Sequence, residues 1–147
     1  MQHRTYPDAY LRDILTAVRL IAIVGASPRP QRPSHGVMRY LQRQGYRAIP
    51  VNPFAAGTTI LGEPCYATLG EIPADLAGPV DMVDIFRRSE FAGAAVDAAI
   101  AAGAKVVWMQ LGVVDAAAAA RAEAHGLKVV MDRCPAIEIP RLGLAKG

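Results

Sequence analysis

Stretches typical of buried strands alternate with stretches typical of helices along the chain, and this alternation constrains the fold more than any other feature. The strand-like runs are LIAIVG, YRAIPVN, VDMVDIF, AKVVWMQLG and LKVVMD. Continuous apolar runs of this length are expected where helices cover both faces of a parallel sheet. The pattern therefore predicts an α/β protein with five parallel strands.

Right-handed crossovers and short connections favour one Rossmann-like, doubly wound domain over residues 1–147, with helices on both faces of the sheet. The expected strand order is 3-2-1-4-5, and an amphipathic helix over residues 7–18 is expected to pack on the sheet. Ligands of such sheets bind beyond the carboxyl ends of the strands, where the order reverses. The loop after the first strand is expected to lie there.

Composition narrows the class of ligand. The formal net charge of +3 suits an anionic ligand, but it is too small to indicate nucleic acid. No apolar run has the length of a membrane span or of a signal peptide, so neither a membrane nor secretion is expected. The two cysteines and three histidines form neither a disulfide framework nor a metal-binding spacing. A cytoplasmic protein without a metal is expected.

The loop after the first strand, GASPRPQRPSHG, combines small residues with basic ones. Gly25, Ala26 and Ser27 are expected to leave backbone N–H groups open to a phosphate, and the Ser27 hydroxyl can donate to it. Three further side chains can reach anionic oxygens: Arg29, Arg32 and His35. The alternative is a proline-stiffened surface loop whose arginines are solvated.

The ends of the second, third and fourth strands supply further candidates. Asn52 and Pro53 replace the acidic residue with which NAD-binding folds usually contact a ribose, so a phosphorylated ribose becomes plausible. Alternatively, they form an ordinary turn. At the third strand, Phe86 can pack on an adenine and Arg87 can meet a phosphate, although such a phenylalanine is more often a core residue and paired arginines usually lie on a solvated face. The fourth strand is expected to place two further residues beside the first loop: Gln110 and Gly112.

Taken together, six segments of this sequence resemble the small bacterial CoA-binding proteins, which are similar to the N-terminal domain of the succinyl-CoA synthetase α subunit. The segments are VGAS, GYRAIPVNP, ILGEPCYATLGEIP, VDIFRRSE, VVWMQLGV and VVMDRCP. The resemblance implies a domain that binds coenzyme A through its 3′-phospho-ADP part. It implies nucleotide contacts from Gly25, Ala26, Ser27, Asn52, Pro53, Ile85, Phe86 and Arg87.

The chain also departs from the synthetase pattern. Phe54 and Ala55 stand where the synthetase has a lysine that faces CoA, so Arg29 or Arg32 is expected to supply the charge. The phosphorylated histidine of the synthetase belongs to a second domain that these residues do not resemble. No pairing of side chains indicates general acid–base or nucleophilic catalysis. Cys134 is interpreted either as a packed residue or as a thiol able to exchange with bound CoA.

These observations favour a stand-alone binding protein for CoA or an acyl-CoA without catalytic machinery. One alternative is an NAD(P)-dependent oxidoreductase, which the fold permits. Another is a subunit that delivers CoA to a separately encoded acyl-CoA ligase, and any such protein partner is unknown.

Overall fold

The computed structural model describes residues 1–76 and 78–147. The helices are α1 (Asp8–Ala17), α2 (Pro33–Arg43), α3 (Ser89–Ala101), α4 (Ala116–Ala124) and α5 (Pro135–Arg141), with a 3₁₀ turn at Leu69–Glu71. The strands are β1 (Leu20–Val24), β2 (Arg47–Val51), β3 (Thr59–Ile60), β4 (Glu63–Pro64), β5 (Met82–Ile85), β6 (Val106–Met109) and β7 (Lys128–Val130). None of these helices is long and apolar enough to cross a membrane.

The main sheet has five parallel strands in the order β2-β1-β5-β6-β7, and β3 pairs with β4 in a separate short hairpin. The predicted class, a parallel five-stranded sheet with helices on both faces, is confirmed. Counted along the five predicted strands, the order is 2-1-3-4-5. The predicted order 3-2-1-4-5 is therefore wrong in the place of the third strand, which pairs with the first strand and not with the second.

The segment around Tyr66 explains why β5 does not pair with β2. The backbone N–H of Tyr66 donates to Pro50 (3.1 Å), and the N–H of Asn52 donates to Tyr66 (2.9 Å), so the outer edge of β2 is occupied. Asp81 secures the alternative pairing, because its carboxylate accepts from the N–H groups of Arg19 and Leu20 at the start of β1 (2.8 and 3.0 Å). The order in which successive strands are added to the sheet consequently reverses between β1 and β5, while all five strands stay parallel.

Two apolar layers cover the sheet, because alternate residues of each strand point to opposite faces. On the first face, α1, α2 and α5 pack over side chains such as Ile21, Ile23 and Trp108. On the second face, α3 and α4 pack over side chains such as Ala22 and Val107, with many alanines in the contact. The apolar stripe of the N-terminal segment lies on α1, where Leu11, Ile14 and Leu15 are buried. The carboxyl ends of β1 and β5 remain accessible between these layers.

Two serines lie within the first turns of helices and not at the N-cap positions before them. Ser34 and Ser89 both lie in the first turn of their helices, and the N-cap positions are Arg32 and Arg88. The Ser34 hydroxyl accepts a hydrogen bond from the backbone N–H of Ser27 (3.0 Å). The serine in α2 therefore fastens the loop after β1 to the start of that helix.

Candidate ligand-binding site

The loop after β1 turns back sharply at Gly25, which has a φ of +88°. A Cβ atom at this position would lie less than 3.0 Å from the backbone oxygen of Phe86, so no larger side chain fits without a shift. The N–H of Gly25 donates to Val51 (2.8 Å), and the N–H of Phe86 donates to Val24 (2.8 Å). Gly25 is thus required by the close approach of the loops that follow β1 and β5.

The backbone N–H groups of this loop already have acceptors within the protein. Those of Gly25 and Ala26 both point to the carbonyl of Val51, at 2.8 and 3.4 Å, and that of Ser27 reaches Ser34. The expectation that these groups stay open to a phosphate is therefore wrong for this conformation. The Ser27 hydroxyl accepts from the N–H of Arg29 (3.1 Å), which leaves its own hydrogen able to donate. Side chains and the start of α2 remain as anion-binding groups.

The start of α2 is suited to an anion. Pro33 occupies the first turn, which holds no acidic residue. Arg29 and Arg32 are exposed, and neither has a carboxylate within 4.0 Å among residues 1–76 and 78–147. The positive end of the helix dipole and two unpaired guanidiniums therefore act at the same place.

A cleft of about 750 Å³, called here the first cleft, opens on the α2 and α5 side of the sheet. Seven of the predicted residues line it: Gly25, Ser27, Arg29, Arg32, Asn52, Phe86 and Gln110. Sequence reasoning did not assign Phe54, Leu111 and Val113 to it, and had Cys134 only as an open alternative. The sequence therefore predicts mainly the polar and charged residues of this cleft, and not the apolar side chains that also line it.

A smaller cleft of about 370 Å³, called here the second cleft, lies beside the start of α3. Gly25 borders it as well, together with two other predicted residues, Pro53 and Arg87. Helix α3 contributes Glu90, Phe91 and three alanines, and the rest of the lining comes from the ends of β1 and β2 and from residues 67–69. The Arg87 guanidinium lies 5.6 Å from the centre of the Phe91 ring, within the range of a cation–π contact. The predicted residues therefore divide between two clefts that meet at Gly25.

Four predicted residues line neither cleft: Ala26, His35, Ile85 and Gly112. Ala26 and Ile85 are buried in the core. His35 is also buried, and its Nδ1 has no hydrogen-bond partner in the described part of the chain. The backbone of Gly112 joins β6 to its neighbours, since its N–H donates to Asp132 (2.7 Å) and its carbonyl accepts from Ser89 (3.3 Å).

Asn52 joins the loops that follow β1 and β2. Its amide nitrogen donates to the carbonyl of Ala26 (2.7 Å), and its amide oxygen accepts from the N–H of Phe54 (2.9 Å). Asparagine commonly stabilises such a turn through its own side chain. Asn52 therefore shapes the wall of the first cleft, and places no negative charge there.

Asp84 lies beneath the first cleft and is fully buried in β5. Burial raises the pKa of its carboxyl well above the usual range. The carboxamide of Gln110 faces both carboxyl oxygens of Asp84, and its nitrogen lies 2.9 and 3.1 Å from them when the amide is turned to donate to an ionised carboxylate. The sequence places Asp84 only at the flank of the third strand. Val83 and Ile85, its two neighbours in β5, both point to the second face of the sheet. Because side chains alternate along a strand, Asp84 points to the first face.

The two cysteines differ in their surroundings. Both are buried and free, but Cys134 lines the first cleft whereas Cys65 packs in the apolar layer. Burial raises the pKa of the Cys65 thiol. A molecule bound in the first cleft can therefore shield the Cys134 thiol but not the Cys65 thiol.

Comparison with known proteins places this geometry in a wider group. Residues 19–140 match the family described as CoA binding domain. The uncharacterized protein YneT of Bacillus subtilis is 38% identical over 126 residues, which cover 86% of this chain and 89% of the relative. A hypothetical protein from Pyrococcus horikoshii has a solved structure that is 37% identical, with a TM-score of 0.86, covering 97% of this chain and 96% of that chain.

A larger protein contains the same fold. The dinucleotide-forming acetyl-coenzyme A synthetase 1 of Ca. Korarchaeum cryptofilum matches with a TM-score of 0.61 at 24% identity. The match covers 75% of this chain but only 25% of that chain. It therefore establishes a likeness of fold and nothing further.

Proposed function

The chain belongs to the CoA binding domain family, and on that premise we propose that it is a stand-alone binding protein for CoA or an acyl-CoA. The ligand lies in the first cleft, with its phosphates against the loop after β1 and the start of α2. The observation that carries the proposal is that Arg29 and Arg32, which have no acidic partner in the described part of the chain, line the same cleft as the acid-free first turn of α2. Guanidinium groups match phosphate oxygens in geometry and charge.

The lining of the first cleft supports binding without catalysis. Its polar side chains in the described chain are two arginines, two serines, Asn52, Gln110 and the Cys134 thiol. General acid–base chemistry needs a titratable group within hydrogen-bond reach of the reacting atom, and such groups are usually His, Asp, Glu or Lys. Asp84 is fully buried and is not part of the lining, and the Gln110 carboxamide lies against its carboxyl group.

The volume and the mixed lining of the cleft also suit the ligand. About 750 Å³ is within the range of pockets that enclose small molecules and cofactors. Phe54, Phe86, Leu111 and Val113 supply apolar surface, and the arginines supply charge. A nucleotide with a long, partly apolar arm uses both kinds of surface.

Calorimetry with CoA, dephospho-CoA, NAD and NADP tests the proposal. Because a charged hydrogen bond contributes about 1.5–3 kcal/mol, CoA is expected to bind about tenfold to a hundredfold more tightly than dephospho-CoA. Equal binding of both would contradict recognition of the 3′-phosphate. Tight NADP binding without a response to CoA would instead support an oxidoreductase.

A further inference from the structure

The pairing of Asp84 with Gln110 is not needed to form the sheet. Asp84 occupies a position between two apolar residues in the strand register, Ile23 of β1 and Trp108 of β6. A buried carboxyl destabilises a fold unless it is hydrogen-bonded, and an apolar side chain of similar size would avoid that cost. Asp84 has a partner in Gln110, which is only 6% exposed and lines the first cleft.

The pair fixes the direction of the Gln110 amide. If Asp84 is ionised, both oxygens accept from the amide nitrogen, and the amide oxygen is left for the cleft. If Asp84 is protonated, its hydroxyl donates to the amide oxygen, and the amide nitrogen is left for the cleft. In either state one end of the amide is held from below, and the other end is presented to a ligand in one orientation.

Gln110 stands at the apolar end of the first cleft. It follows β6, which is separated from β1 by one strand, so the phosphate-binding loop and Gln110 lie about 10 Å apart across the sheet. Leu111 and Val113 of the same loop also line the cleft, whereas the two arginines lie on the loop after β1. This end therefore offers apolar walls and one oriented amide. The pantetheine arm of CoA is an alkyl chain that contains two amide groups.

We propose that Gln110 hydrogen-bonds an amide group of the pantetheine arm and that Asp84 is the positioning residue which holds Gln110 for this contact. The proposal rests on the proposed function, because it assumes CoA or an acyl-CoA in the first cleft. It assigns recognition of the arm to the β6 end and recognition of the phosphates to the β1 end. Gln110 then distinguishes CoA from a nucleotide that lacks the arm.

The test compares CoA with adenosine 3′,5′-bisphosphate, which lacks the arm, by calorimetry on the full chain. Gln110→Leu removes one neutral hydrogen bond, so its affinity for CoA is expected to be about threefold to tenfold lower than that of the wild type. The affinity of this variant for the bisphosphate is expected to change by less than about twofold. Gln31→Leu, an exposed glutamine of the loop after β1, is the matched control and is expected to change neither affinity.

Asp84 is tested through the preference for CoA, which is the ratio of the affinity for CoA to the affinity for the bisphosphate. Asp84→Leu is expected to reduce the preference for CoA as Gln110→Leu does, and combining both changes is expected to add no further loss. Asp84→Asn keeps a hydrogen-bonding partner for the amide and is expected to retain the preference within about twofold. If Asp84 had only a structural role, Asp84→Leu would lower the affinities for CoA and for the bisphosphate together. Asp84→Asn would then not restore the preference for CoA.

The outcomes separate this inference from the function on which it rests. If the wild-type protein binds neither ligand, the proposed function itself is overturned. If the wild type binds CoA but Gln110→Leu weakens CoA and the bisphosphate equally, or weakens neither, only the role of Gln110 is overturned. If Gln110→Leu acts selectively and Asp84→Leu does not, the positioning role of Asp84 is overturned.

Discussion

The two clefts share Gly25 and the end of β1, yet their helix starts have opposite character. The first turn of α2, at the first cleft, has no acidic residue, and the nearby Arg29 and Arg32 have no acidic partner in the described chain. The first turn of α3, at the second cleft, contains Glu90, which also lies 3.6 Å from Arg88. A carboxylate at a helix start occupies the position that a phosphate would use.

This difference shows that the loop motif alone does not decide where an anion binds. Gly25 borders both clefts, and the backbone N–H groups from Gly25 to Ser27 are used inside the protein. The charges at the two helix starts make the distinction. The proposed function therefore assigns the phosphates to the first cleft and gives Arg87 in the second cleft a lesser part.

The largest effect is expected at the residue that both clefts share. Gly25→Ala adds a Cβ at a positive φ and against Phe86, so the free energy of unfolding should fall by at least about 1–2 kcal/mol. CoA binding should be lost, because the two loops can no longer approach. Urea unfolding and calorimetry measure the two effects.

Gly36→Ala is the matched control for that change, because a Cβ at Gly36 meets no atom within 4 Å. Alanine is favoured over glycine within a helix, so this variant should be stabilised by about 0.5–1 kcal/mol. Similar stabilities of the two alanine variants would contradict the role given to Gly25.

The arginines provide the sharpest contrast between the clefts. Arg32→Met should weaken CoA about tenfold to a hundredfold, because a charge-assisted hydrogen bond to a phosphate is lost. Arg87→Met, its counterpart in the second cleft, should weaken CoA by less than about threefold. A reversed order of the two affinities in calorimetry would move the phosphates to the second cleft.

The buried carboxyl beneath the first cleft predicts a pH dependence of stability. Because the folded pKa of Asp84 is raised, the folded state keeps a proton that the unfolded state releases above about pH 4. Asp84 therefore costs stability increasingly as pH rises toward its folded pKa, by up to about 1.4 kcal/mol per pH unit. Asp84→Asn lacks this contribution.

Urea unfolding of the wild type and Asp84→Asn between about pH 5 and pH 8 measures this dependence. The stability of the variant relative to the wild type should rise with pH across that window. A constant difference between the two proteins would show that Asp84 does not titrate as described.

The smallest effect concerns thiol modification. Cys134 lines the first cleft and Cys65 does not, so bound CoA should slow alkylation of Cys134 and leave that of Cys65 unchanged. Mass spectrometry of iodoacetamide-treated protein, with and without CoA, gives both rates. Equal protection of the two thiols would indicate general stabilisation by the ligand and not shielding in the cleft.

Local patterns were enough to predict the fold class but not the strand order. The apolar runs mark the strands because each is buried on both faces, which is a property of neighbouring residues. The order depends on Tyr66 covering the edge of β2 and on the Asp81 carboxylate reaching the start of β1. Both contacts join residues far apart in the chain, and no periodicity reveals them.

The same distinction holds at the candidate site. Ser27, Arg29 and Arg32 could be predicted because they follow a strand end, where parallel sheets bind ligands. The pairing of Asp84 with Gln110 joins two neighbouring strands through their side chains. The engagement of the loop N–H groups with Val51 likewise depends on the pairing of β1 with β2. Neither could be read from the loop sequence.

A crystal structure of the protein with bound CoA tests the central claim most directly. The account predicts the phosphates in the first cleft, against Ser27, Arg32 and the start of α2, with the pantetheine arm leading toward Gln110. Phosphates in the second cleft, beside Arg87 and the start of α3, would contradict it.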